Sequence, residues 1–231
     1  MTRIFDIYLL DIIALLWFCV IWSGYSLFAD RHKDANLVTA MHKHRINWVN
    51  SLMRREDRLV DIRIVASLIQ SATFFASTSI LIIGGLFALL GYGNRAIEMI
   101  DSLPFAEHMN LTTWFFKTLS MLLIFIFAFF KFTWVIRQFN FTIVLMVSAP
   151  KIDDEKSTQE ETEKANKYIK NISDMIYNTS MHFNKGMRSY YFGLVGICWF
   201  ISPILLIIAS VVVVIVLYRR EFLSKTLKML E

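Results

Sequence analysis

Four apolar stretches, roughly residues 7–28, 64–91, 113–135 and 190–218, alternate with polar segments along the chain. Each is long enough to cross a hydrocarbon layer of about 30 Å at about 1.5 Å per helical residue. No stretch alternates with period two between turn signals, so helices are the spanning form that the pattern predicts. The first stretch contains Asp11, follows a single basic residue, Arg3, and runs on without a small-residue cleavage site. It reads as a retained helix and not as a signal peptide.

The polar segments carry periodicity of their own. Between residues 36 and 63, Leu37, Met41, Trp48, Leu52, Leu59 and Ile62 recur at helical spacing, with Arg54, Arg55, Glu56 and Arg58 interleaved. This predicts an amphipathic helix leading into the second span. After Pro150 the run KIDDEKSTQEETEK predicts an exposed, mobile connector over about 151–157. Ser157 with Glu160, or Thr158 with Glu161, then makes a capping box that opens a second polar helix over 157–189. Its stripe of Ile169, Ile172, Ile176, Thr179, Phe183 and Met187 meets no proline before Pro203, so one long helix is expected to continue into the fourth span. The predicted fold is an all-α integral membrane protein: a single domain over 1–231, a four-span helical bundle with helices extended into the cytoplasm. The two extended apolar faces bury against one another as a stalk, or lie flat on anionic lipid; the stalk is the simpler way to keep long apolar stripes out of water.

Composition agrees with a membrane protein. Hydrophobic residues make up 56% of the 231, with 3 prolines, and the mean hydropathy is +0.50; soluble domains stay near 45–50% apolar. The net charge of +5 comes from basic residues scattered between apolar blocks, which argues against a nucleic-acid partner. Cys19 and Cys198 both lie in apolar segments and suggest neither a disulfide framework nor a zinc site. With four single crossings, Lys and Arg divide 16 against 6 between the two sides, which predicts a bacterial cytoplasmic membrane with both termini outside the cytoplasm. Arg219 and Arg220 count the other way.

Candidate chemistry is sparse. Asp11 and Lys117 both fall in the outer halves of their spans and are expected to form an intramembrane ion pair. In AFFKFTWVIRQFNF (128–141), Lys131 and Arg137 fall at the inner interface among aromatics, at the depth of Arg188. Either these three form a basic pocket for an anionic phospholipid headgroup, or they are independent snorkelling anchors. In the second span, Ser67, Ser71, Ala72, Ala76, Ser77, Ser79, Gly84 and Gly85 offer close helix packing. Gln70, Ser71, Thr73, Ser77, Thr78 and Ser79 are the polar groups a transport path would need. His42 and His44, two residues apart, lack metal-chelating helical spacing, and no metal or other cofactor is expected. Ser202 before Pro203 reads as a helix kink eased by a hydroxyl.

Five blocks, FFASTSILIIGG (74–85), AFFKFTWVIRQFNF (128–141), HFNKGMRSYYFGL (182–194), WFISP (199–203) and LYRREF (217–222), resemble a family of bacterial and plant membrane proteins known as domain of unknown function 599. The resemblance spans nearly the whole chain and implies a multi-span membrane protein. It implies no activity, cofactor or ligand set. Three functional classes follow, in order of preference. The first is a non-catalytic scaffold or accessory subunit of a membrane assembly, partnered by membrane lipids, by another membrane protein or by its own copies. The second is a small-solute or ion transporter or channel. The third is a lipid-headgroup-binding protein or enzyme using His182, Arg188 and Lys131 at the inner interface. No catalytic motif is present.

Overall fold

The structure, a computed structural model, describes residues 2–32, 36–103, 106–153 and 157–230, with side chains from residue 9 onward. Among them the chain is all-α: α1 (Thr2–Arg31), α2 (Leu37–Met53), α3 (Leu59–Gly91), α4 (Gly93–Asp101), α5 (Leu111–Ser148), α6 (Gln159–Gly196), α7 (Pro203–Phe222) and α8 (Lys225–Leu230), with a 3-10 turn over Ile197–Phe200. Among the described residues, four helical stretches are long and apolar enough to cross a membrane: Leu9–Arg31, Leu59–Gly91, Leu111–Ser148 and Pro203–Leu230.

Helix α5 is the axis of the molecule. Its 38 residues reach about 57 Å, nearly twice the hydrocarbon thickness, with α3 packed along one side and α6 along the other. The aromatic run at 128–141 divides by face. Phe132 and Phe139 are buried, whereas Phe130, Trp134 and Phe141 are exposed. Phe132 stacks on Phe75 of α3 at 5.2 Å between ring centres and meets Phe183 and Tyr190 of α6 edge-on. Helix α6 fits against these rings because it is notched. A Cβ added at Gly186 would lie 2.8 Å from Phe132 Cζ, and one at Gly193 would lie 2.8 Å from Phe125 Cζ. The two rings and the two glycines are each seven residues apart, so the same face repeats after two turns. By contrast, Gly84 and Gly85 of α3 face open space, and of that helix's small residues Ala72, Ala76 and Ser79 supply the packing.

Beyond the spans, α2 and the first half of α6 close a separate core around the end of α5, with Val49, Leu52, Phe139, Met146, Ile169 and Ile172 at its centre. The extended apolar faces thus pack as a stalk. Helix α6 starts at the Thr158–Glu161 capping box, both reciprocal hydrogen bonds present. Two boundaries depart from expectation. The helix predicted over 36–63 breaks between Met53 and Leu59, where polar groups hold a corner. Arg58 donates to the carbonyls of Met146, Ala149 and Pro150 at 2.7–3.2 Å, closing the C-terminus of α5. Buried Asp61 accepts from Trp48 Nε1 at 2.6 Å and from Arg55 at 2.7 Å. The expected connector over 151–157 lies partly outside the described residues; within them Ile152 is buried and its N–H donates to the Met53 carbonyl.

The largest correction concerns residues 190–218. They do not form one rising span continuous with the preceding helix. After Gly196 the chain passes through the 3-10 turn, Ser202 becomes the N-cap of α7 with Pro203 in its first turn, and the direction reverses. Arg188 and Glu221 meet at 2.7 Å, whereas 33 helical residues in line would hold them about 50 Å apart. The serine–proline step is therefore a new start and not a kink. Helices α1 and α7 run in parallel: Asp11 meets Trp199 at one end, and Phe28 meets Tyr218 and Phe222 at the other. The chain consequently begins and finishes at opposite ends of the bundle, and α8 packs on α2. The expectation that both termini share the outer side is incompatible with this reversal.

Candidate functional site

Charged side chains enter the bundle in two layers. At what we call the Lys117 end, Asp11 Oδ1 accepts from Lys117 Nζ at 2.9 Å and from Trp199 Nε1 at 2.8 Å. Lys117 Nζ also donates to the Trp199 carbonyl at 2.9 Å and lies over the indole. Both charged side chains are only 4% exposed. The lysine thus serves a carbonyl released where α6 ends, and one carboxylate neutralises one ammonium. Asp11 and Lys117 are brought together as their matched depths suggest.

At the opposite, Arg188 end, Arg188 donates in a fork to Glu221, 2.9 Å from Nε to Oε1 and 2.7 Å from Nη2 to Oε2. Its third donor reaches Asp30 at 3.4 Å, and the guanidinium covers the Tyr25 ring. The side chain is 3% exposed. Lys185, one turn earlier on α6, pairs with the other Asp30 oxygen at 2.6 Å. Lys131 approaches the same cluster from α5 but has no ion-pair partner among the described residues; it lies over the Phe127 ring at 5.1 Å. Three cations therefore share two carboxylates. Trp22, Ser23, Ser26, Asp30, Phe127, Lys131 and Lys185 line a cleft of about 360 Å³ here.

The expected trio of Lys131, Arg137 and Arg188 is not brought together as one pocket. Arg137 is exposed and stacks over Phe141 on the outer face of α5, and the donors of Arg188 are already directed at carboxylates. Lys131 alone of the three lines the cleft, and its neighbour there is Lys185. Asp30 and Lys185 were missing from the sequence reading of the site. The usable signals were the Lys185–Arg188 spacing of three, which puts both on one face of α6, and a carboxylate at the end of the first span.

Most hydroxyls of α3 are bound within their own helix. Ser67, Ser71, Thr73 and Thr78 each donate to a carbonyl three or four residues back in their own helix. Ser79 does the same and also meets Tyr190 of α6, whose hydroxyl donates to the Phe75 carbonyl. These hydroxyls satisfy and tie helices. Among the described residues, no three His, Cys, Asp or Glu side chains converge as a metal would require.

The family model described as protein of unknown function, DUF599, matches residues 13–226. The chain belongs to this family. The match contains the Arg188 layer, the reversal and most of each of the four apolar helices of this DUF599 protein, which is a multi-pass membrane protein; Asp11 lies just before it. No curated protein and no solved structure matches the chain.

Proposed function

We propose that this protein is a non-catalytic membrane scaffold that holds an anionic lipid headgroup in the cleft between α1, α5 and α6, at the cytoplasmic face of a bacterial cytoplasmic membrane. The observation that carries the reading is the surplus cation: among the described residues Lys131 has no carboxylate of its own, beside Lys185, in a cleft walled by Trp22 and Phe127. A headgroup phosphate supplies the missing negative charge, and the aromatic walls suit the first methylenes of its acyl chains.

The orientation is supported by charge. With the reversal, Arg219, Arg220, Lys225 and Lys228 join the stalk side, and the division of Lys and Arg becomes 20 against 2. The residues that argued against the orientation now argue for it. In this reading the stalk and the C-terminus are cytoplasmic, and the chain begins outside. A cysteine placed at Lys228 and labelled only from the outside in intact cells would reverse it.

The lipid reading is tested by native mass spectrometry of protein extracted from phosphatidylglycerol-containing membranes. Lys131→Gln and Lys185→Gln are each expected to carry one phosphatidylglycerol fewer than wild type, with Arg137→Gln unchanged. Equal occupancy in all four proteins rules the site out.

A further inference from the structure

A second basic site lies in the stalk, apart from the cleft at Lys131. Its centre is Arg45 on α2. The other arginines of the α2–α3 corner have dense partners: Arg55 closes on Asp61, and Arg58 holds three carbonyls. Arg45 donates once, from Nη1 to the Val38 carbonyl at 3.1 Å, and has no carboxylate partner among the described residues. Burial pulls its pKa below the ordinary arginine value, partly offset by Tyr177. A partly buried guanidinium with unused donors is costly to keep empty-handed.

Arg45 lines a cavity of about 540 Å³ between α2, α3, α5 and α6, whose other walls include Met41, Leu68, Phe139, Phe183 and Asn184. The Asn184 side-chain amide has no hydrogen bond among the described residues, so a second donor is available at the rim. Cavities of about 300–1,000 Å³ with apolar walls and a few placed polar groups are the usual form of a small-molecule site. On the α3 side the lining residues Ile64 and Leu68 are themselves exposed, 45% and 38%, and this flank stands where α3 enters its long apolar stretch.

We propose that this cavity binds an amphipathic anion, with its phosphate or carboxylate head on Arg45 and Asn184 and its apolar body against Met41, Leu68, Phe139 and Phe183. The head neutralises Arg45, which has no carboxylate partner among the described residues, and the body covers apolar surface that the stalk leaves open. The same chemistry arrives from two sources: a phospholipid entering along α3, or a free amphiphile from the cytoplasm.

The probe is dodecyl phosphate carrying a diazirine on its chain, photolysed with the full-length protein in mild detergent and mapped by peptide mass spectrometry. Label is expected on peptides containing Met41, Leu68 or Phe183. It should compete with unlabelled dodecyl phosphate but not with inorganic phosphate, which lacks the apolar body. Arg45→Gln should weaken labelling about tenfold, the loss of a charge-assisted hydrogen bond; Arg45→Lys should recover part of it, and Arg137→Gln should match wild type. Undiminished labelling in a folded Arg45→Gln variant overturns the proposal, as does label confined to peptides of α1 and α5 around Lys131. If Arg45→Gln does not fold, Leu68→Trp, which fills the cavity from an exposed position, decides: wild-type labelling of that variant also overturns it. Repeating the measurement in phosphatidylcholine and phosphatidylglycerol nanodiscs separates the sources. Weaker labelling in phosphatidylglycerol means that a bilayer lipid occupies the site, and equal labelling means that the ligand comes from solution. Because Lys131→Gln and Lys185→Gln test the other cleft, either reading can fail alone.

Discussion

The two charged layers use the same residue types for different ends. At Lys117 one ammonium meets one carboxylate, both remaining polar partners come from Trp199, and the group is closed on every side. At Arg188 the carboxylates are outnumbered, one lysine is left over, and a cleft opens beside it. A balanced, buried cluster acts as a clasp, since removing one member leaves an uncompensated charge in a low-dielectric setting. In the proposed reading, an unbalanced cluster at an open cleft takes the missing charge from a headgroup. The ratio of charges, and not their number, separates structural from ligand-ready chemistry here.

The clasp offers the largest test of that distinction. Asp11→Asn and Lys117→Met should each destabilise the protein by about 3–5 kcal/mol, as expected for removing one member of a buried pair. The double variant should cost clearly less than the sum of the two, read as unfolding in mixed micelles. Strict additivity would mean that the two charges act separately. A middle-sized effect is expected between the layers. Gly193→Leu drives a side chain into the Phe125 ring and should cost about 1–3 kcal/mol through overpacking, whereas Gly84→Leu, facing open space on α3, should be near neutral by the same measurement. A Gly193→Leu protein as stable as wild type would show that α5 and α6 are not held as close as the notch requires. The smallest effect belongs to the receptor layer: Lys131→Gln should change stability by less than about 0.5 kcal/mol while removing bound lipid. A collapse of stability in this variant would make Lys131 part of a clasp after all.

Much of this was readable from the chain. The first three spans follow from continuous hydropathy, and the start of α6 follows from Thr158 and Glu161, because both signals are local. Asp11 and Lys117 could be matched because each is an isolated charge in its span at a similar depth. The reversal at residues 197–202 was not readable. Hydropathy continues across it, and a serine followed by proline fits a kink as well as a cap; what distinguishes them is the meeting of Arg188 with Glu221, 33 residues later. The same missing contact hid the site. Without it Arg188 looked free to bind a headgroup, and Asp30 and Lys185 had no reason to be grouped with Lys131. The corner at Arg58 escaped for a similar cause, since its partners are carbonyls about 90 residues away.

The turn at Ser202 also bears on how the chain is made. Glu221 is synthesised 33 residues after the arginine it neutralises, so when the end of α6 first leaves the ribosome, Arg188 lacks its forked partner and α6 lacks the neighbour that covers it. Insertion of an arginine that has only the more distant Asp30 is costly, and α7 supplies both the apolar length and the forked carboxylate. The end of α6 is therefore expected to enter the bilayer with α7, as a late hairpin, after the first three spans are in place. A chain stopped before Glu221 should leave Tyr190 and its neighbours open to membrane-impermeant labels from the stalk side; full protection in that truncated chain would mean that α6 enters alone.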